Sequence, residues 1–202
     1  RIFGPMMFES FDLSEYDLVI SSSSATHLAK SVITKPETLH ISYIHTPPRY
    51  LYGYKTPVNF QKHLLLKGAA SLVNHFLRIY DFAVSQRPEI LVANSKNVAK
   101  RIKKFYRREA EVIYPPVLVH QFSRQKEKGS YFLSVGRLTR EKGIDIIVSA
   151  CTKVGLPLKV VGAGREEKNL KKIAGPTISF LGEVEDHQLP QLYSRAKATI
   201  VA

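Results

Sequence analysis

A single cysteine, Cys151, stands in 202 residues. It excludes an internal disulfide and fits a reducing compartment. No apolar run reaches the roughly 18 residues a membrane-spanning helix needs. The longest candidate, HLLLKGAASLVNHFL, is interrupted by Lys67, Asn74 and His75. No signal-peptide pattern opens the chain, which starts on Arg1 in mid-pattern. Acids are scarce: 17 Asp and Glu face 30 Lys and Arg, a net charge of +13, which calls for an anionic partner or surface. No Asp-x-Asp pair and no His/Cys cluster with metal-ligand spacing occurs, so no metal site is expected. Zinc-finger spacing, an RNA-recognition sheet motif and a helix-turn-helix are also lacking, which argues against nucleic acid as the partner.

What is there begins with enough length for one large domain or two of about 100 residues. A hydrophobic content of 44% supports a real core. The positive charge concentrates in KNVAKRIKKFYRR, residues 96–108, with seven cations and no acid. Val98, Ile102, Phe105 and Tyr106 recur there at helical spacing, so the segment is expected to be a helix with one buried and one basic face. A solvated face accounts for the charge. So does an anionic membrane surface or a phosphorylated acceptor.

Short apolar runs alternate with longer helical patterns. Residues 17–20 read as a strand turning into a short helix across 21–32. Residues 40–45 are a second strand, and 59–87 a long helix bent at Gly68. Residues 89–94 are a third strand, after which Ser95 caps the basic helix. A fourth strand, 111–117, runs into a double proline. The charged stretch 123–130 reads as a linker, and the alternation then restarts. Strands at 131–136, 157–164, 177–182 and 197–202 alternate with helices at 141–154, 165–174 and 186–196. This pattern means parallel sheets with right-handed crossovers. The expected architecture is α/β with two Rossmann-like domains, residues 1–122 and 131–202. Ligands of such sheets sit at the carboxyl ends of strands, which selects the loops after Ile20, Ile44, Val135 and Val161.

Three of those loops carry chemistry. After Ile44 comes HTPPRY, where two prolines remove two backbone donors and stiffen the chain, a fit for holding His45 and Arg49 in place. After Val135 comes GRLTREKG. Gly136 permits close backbone approach, and Arg137 and Lys142 precede a helix start, a setting that favours a diphosphate. After Val161 comes GAGRE. Gly162 and Gly164 are a weak signal that a plain tight turn also explains. Lys168 and Asn169 occupy the region of a third glycine, so this is not the dinucleotide-binding fingerprint.

Taken in order, HTPPRYLY, VANSKNVAKRI, VIYPPV, SVGRLTREKGID, VVGAG and FLGEVEDHQLPQLYSRAKATIVA resemble the family 4 glycosyltransferases. The resemblance implies retaining enzymes of GT-B architecture with a nucleotide-sugar donor, and it runs from about Asp17 to Ala202. The YIHTPPRYLY variant is most similar to the mannosyltransferase branch of polysaccharide and lipid-linked glycan assembly. By that resemblance His45 lies near the transferred sugar, with Thr46, Arg49 and Tyr50 on the acceptor-side rim. Arg137 and Lys142, with Gly136, would clamp the donor diphosphate without a metal cofactor. Gly162, Gly164, Val184 and Asp186 would lie near the base and donor, although Asp186 equally reads as an exposed helix cap.

The resemblance also implies paired glutamates just past Ala202 and an opening strand before Arg1. The chain is thus expected to be the middle of a longer protein, inactive by itself. Its donor would be GDP-mannose and its acceptor a glycan or a lipid-linked one. Its place would be the cytoplasm, with the basic helix on the membrane's cytoplasmic face. A GT-B nucleotide-sugar epimerase, a non-catalytic nucleotide-sugar-binding protein and a basic nucleic-acid-binding module stand as alternatives.

Overall fold

The computed structural model describes residues 4–24, 29–54, 64–122 and 129–202. The chain forms two compact units, Arg1–Pro116 and Val117–Ala202. Each holds a four-stranded parallel sheet. The division falls before the charged stretch 123–130 rather than within it. Phe122, assigned by sequence to the first domain, packs edge-on against Tyr193 of the second unit, with ring centroids 5.7 Å apart.

The first sheet has strands in chain order: β1 (Leu18–Ser23), β2 (Leu39–Ile44), β3 (Ile90–Ala93) and β4 (Glu111–Val112). β1 runs past Ile20 into the serine run, because Ser21, Ser22 and Ser23 pair with Ser42, Tyr43 and Ile44. The hydroxyls are met inside the protein: Ser21 Oγ lies 2.8 Å from His40 Nε2 and donates to Ser42 Oγ at 3.0 Å. The loop expected after Ile20 therefore starts after Ser23. β4 is shorter than the strand expected over 111–117, since Pro115 and Pro116 offer no N–H to a ladder.

Among the described residues three helices accompany this sheet: α1 (Gly4–Glu9), α2 (Leu64–Val84) and α3 (Lys96–Tyr106). α2 runs unbroken past Gly68; its expected opening, residues 59–63, lies outside the described residues. Of the short helix expected over 21–32, a 3₁₀ turn at Ala29–Ser31 is described. α3 starts where Ser95 Oγ accepts from the Val98 N–H, and it buries Val98, Ile102 and Tyr106. These pack with Ile44, Leu91 and Ala93 as the apolar core of the unit.

The second sheet comprises β5 (Tyr131–Val135), β6 (Leu158–Val161), β7 (Ile178–Gly182) and β8 (Ala196–Thr199). Its spatial order is β7-β6-β5-β8. The chain builds outward on one side of β5 and then reverses to place β8 on the other. The strand order therefore switches direction between β5 and β8, the position at which open α/β sheets bind ligands. The helices are α4 (Ile144–Val154), α5 (Glu167–Ile173) and α6 (Leu189–Ser194). Leu138, Ile147, Val148, Leu158, Val160 and Leu170 are the centre of the core. The helix expected over 141–154 begins later, because Gly143 takes the left-handed conformation (φ 60°) and separates a 3₁₀ turn, Arg140–Lys142, from α4.

Candidate functional site

In the first unit the candidate residues gather at the carboxyl ends of β1, β2 and β3. His45 directly follows β2. Its N–H donates to the Ser23 carbonyl at 2.8 Å, which carries the β1–β2 ladder one step further. Its exposed imidazole keeps Nε2 3.0 Å from Ser22 Oγ and meets Tyr43 edge-to-face at 5.2 Å. The ring is thus held from two sides while remaining open to solvent.

The loop after His45 is anchored rather than slack. Pro47 and Pro48 are buried, and Leu51, at the end of the 3₁₀ turn Arg49–Leu51, is 3% exposed. Tyr52 reaches into the unit: its hydroxyl donates to Asp81 Oδ2 at 2.7 Å and its ring stacks on Phe105 at 4.1 Å. Asp81 Oδ1 accepts from Lys30 Nζ at 2.5 Å, and Lys30 also donates to the Tyr106 hydroxyl at 3.1 Å. Both charges are buried, Lys30 at 2% and Asp81 at 0% exposure. Burial pushes the Lys30 ammonium below its usual value against the opposing pull of Asp81. The Tyr52 hydroxyl is pushed well above its usual range, first by burial and then by the neighbouring carboxylate. A buried ion pair therefore ties the loop to α2 and α3. Arg49 and Tyr50 stay exposed on the rim.

Sequence reasoning missed the role of Arg101. It counted Arg101 among the cations of a basic face, yet the structure turns it to the loop. Its Nη1 donates to Thr46 Oγ1 at 3.1 Å, and the guanidinium lies 4.8 Å from the centroid of the Tyr54 ring. Arg108 is also turned inward, donating to the carbonyls of Ser85, Pro88 and Glu89. The basic face that remains exposed is Lys96, Lys100, Lys103, Lys104 and Arg107, with Lys103 paired to Glu109 at 2.6 Å.

In the second unit the site is built on glycines at three adjacent strand ends. The Gly136 N–H donates to the Val161 carbonyl at 3.0 Å, and the Gly162 N–H to the Gly182 carbonyl at 2.7 Å. A Cβ on Gly162 (φ 122°) would run into the Gly136 carbonyl, and one on Gly164 into the Leu138 backbone. The GAG pair thus lets two strand-end loops lie side by side, a packing role that needs no ligand to explain it.

Arg137 and Lys142 both lie exposed beside this platform, one after β5 and one ending the 3₁₀ turn. The Glu141 carboxyl between them is held below its usual value. Its own backbone N–H is the first cause and the Thr139 hydroxyl the second; the charges of Arg137 and Arg165 act in the same direction. Arg165, directly after the GAG run, is thus a third cation of this edge. The chain after β8 returns here, since an added Cβ on Gly143 would sit 3.0 Å from Ala202 Cβ. A nearby cavity of about 260 Å³ is lined by Thr139, Arg140, Asp145, Glu166 and Asn169 among others, but by neither Arg137 nor Lys142. Val184 packs half-buried against Tyr131, Leu133 and Val161. Asp186 is exposed as the first residue of a 3₁₀ turn, and the residue that caps that turn is Glu185, not Asp186.

These glycine-lined strand ends and their cations set the comparison with known proteins. Residues 119–202 match the family model described as Glycosyl transferases group 1. No curated protein matches the chain. Among solved structures, the pneumococcal O-GlcNAc transferase GtfA, in complex with UDP and GlcNAc, matches with a TM-score of 0.59 at 17% identity. That match covers 99% of this chain and 40% of GtfA. A mutant of TarM from S. aureus, in complex with fondaparinux, alpha-GlcNAc-glycerol and UDP, matches at 0.57 and 10% identity, over 85% of this chain and 36% of TarM. AviGT4, a glycosyltransferase of avilamycin A biosynthesis, matches at 0.51 and 18% identity, over 96% of this chain and 47% of its own. The chain thus spans less than half the length of each. At these identities the likeness shows the fold, which is that of the GT-B glycosyltransferases.

Proposed function

We propose that this chain carries the sugar-donor half-site, and part of the acceptor side, of a retaining glycosyltransferase that moves a sugar from a nucleoside diphosphate to a glycan or lipid-linked acceptor. The observation that carries the reading is the strand-order switch between β5 and β8, flanked by Gly136, Arg137 and Lys142, within the segment that matches the transferase family model. As the sugar leaves, negative charge grows on the diphosphate. Fixed cations aimed at it stabilise the transition state more than the ground state. Arg137 grips phosphate oxygens with two donors, Lys142 acts as a compact point charge, and the pair takes the place of a divalent ion. His45, held by Ser22 and Tyr43, lies by the transferred sugar in this reading, with Thr46, Arg49 and Tyr50 toward the acceptor. Val184 and the Gly162–Gly164 turn border the base.

The YIHTPPRYLY resemblance favours GDP-mannose as donor. UDP in two of the matched structures supports a UDP-sugar as the second reading. A thermal-shift screen of GDP-, UDP- and ADP-sugars separates them. A donor present at 100 times its Kd adds about 2.7 kcal/mol, so the melting temperature should rise with one nucleotide-sugar and its nucleoside diphosphate but not with the free sugar. No rise with any of them would count against the reading.

A further inference from the structure

We infer that Arg101 and the loop it holds form a phosphoryl-binding site in the first unit. Arg101 is half-buried, and its guanidinium is fixed on two sides, by the Thr46 hydroxyl and the Tyr54 ring. Its Nε is shielded from solvent and has no hydrogen-bond partner. No carboxylate pairs with it among the described residues, although Lys30, Arg87, Lys103 and Lys171 all have one. The shielded Nε–H has no acceptor, which costs free energy, and the half-buried guanidinium carries a charge that no carboxylate among the described residues balances.

The surroundings favour a phosphoryl group as that anion. Asn97, Arg101 and Lys104 follow one another at helical spacing along one side of α3, each able to donate. Arg49 is exposed on the loop itself. A guanidinium fork with a second cation beside it suits the several oxygens and double charge of a phosphoryl group. Thr46 directly follows His45 at the carboxyl edge of the sheet, so a phosphoryl bound here lies where a ligand of this unit belongs. The proposal rests on the transferase reading only in making that ligand the acceptor. The group could be carried by a lipid-linked acceptor or by a soluble phosphorylated one.

The test uses the chain with Arg137→Ala and Lys142→Ala, so that the second unit's cations do not contribute. Inorganic diphosphate is titrated while the Arg101 Nε–H and the Thr46 and Tyr54 amides are followed by ¹⁵N NMR. The site predicts a saturable shift of all three, weakened about tenfold or more by Arg101→Gln and less by Arg101→Lys. Neutral phosphatidylcholine vesicles with and without a polyprenyl diphosphate distinguish the sources: tighter Arg101-dependent binding on loaded vesicles marks a lipid-linked ligand, and equal binding of free diphosphate a soluble one. An Arg101 Nε–H unmoved by diphosphate in the parent overturns the proposal, whatever becomes of the donor site. So does equal binding by a folded Arg101→Gln variant.

Discussion

Asp81 joins the loop after β2 to the buried ammonium of Lys30. It accepts from Lys30 and from Tyr52 while fully buried. Removing its charge leaves a buried ammonium unpaired, so Asp81→Asn should destabilise the first unit by about 3–5 kcal/mol in denaturant unfolding. Tyr52→Phe removes one hydrogen bond to a charged group and should cost about 1.5–3 kcal/mol. His40 adds a pH dependence. Burial pushes its imidazole below the usual value, with Glu89 opposing. The folded protein therefore binds the proton less readily than the unfolded chain. Stability should be full above the unfolded value of about 6.5 and fall as pH drops from there toward the folded one. His40→Gln should flatten that slope if His40 is its source. On the proposed transferase reading, His45→Ala in the full-length protein should lower turnover at least about tenfold, near 1.4 kcal/mol of barrier, while the melting temperature changes little. The reverse pattern would make His45 structural.

At the scale of elements, the paired loops after β5 and β6 are the most constrained piece. Gly162→Ala places a Cβ against the Gly136 carbonyl at a φ of 122°. It should cost about 1–3 kcal/mol in backbone strain, and more from the clash, read as a lower melting temperature. Much of the element pattern was legible in the sequence. Every strand was visible as a short apolar run, and Ser95 announced the start of α3. α1 was missed altogether, and β8 ends at Thr199 rather than 202. Three of the errors at ends have a local cause: hydroxyls satisfied within the sheet extended β1, paired prolines cut β4 short, and a left-handed Gly143 delayed α4. Contacts between distant residues were not legible. Lys30 and Asp81 are 51 positions apart, and nothing local marks them as partners. Arg101 lay inside a run of seven cations, where only the loop packed against it sets it apart. The GAG glycines were seen, but their role in seating one loop on another depends on Gly136 and Leu138, which periodicity cannot connect to them.

For the molecule as a whole, the +13 charge divides by role once the inward-turned arginines are set aside. Among the described residues no helix is long and apolar enough to cross a membrane. If the exposed lysines of α3 meet anionic lipid, each should add about 1 kcal/mol at low salt. Reversing Lys100, Lys104 and Arg107 should then release the protein from anionic vesicles, and unchanged binding would return this face to solvent. The central claim is that Arg137 and Lys142 hold the diphosphate of a sugar donor. The direct measurement is isothermal titration of the parent, Arg137→Ala and Lys142→Ala with GDP and UDP. Each charge-assisted bond is worth roughly 1.5–3 kcal/mol, so each variant should bind the preferred nucleoside diphosphate about 10- to 100-fold more weakly than the parent. Parent-like affinity in both variants would contradict the account.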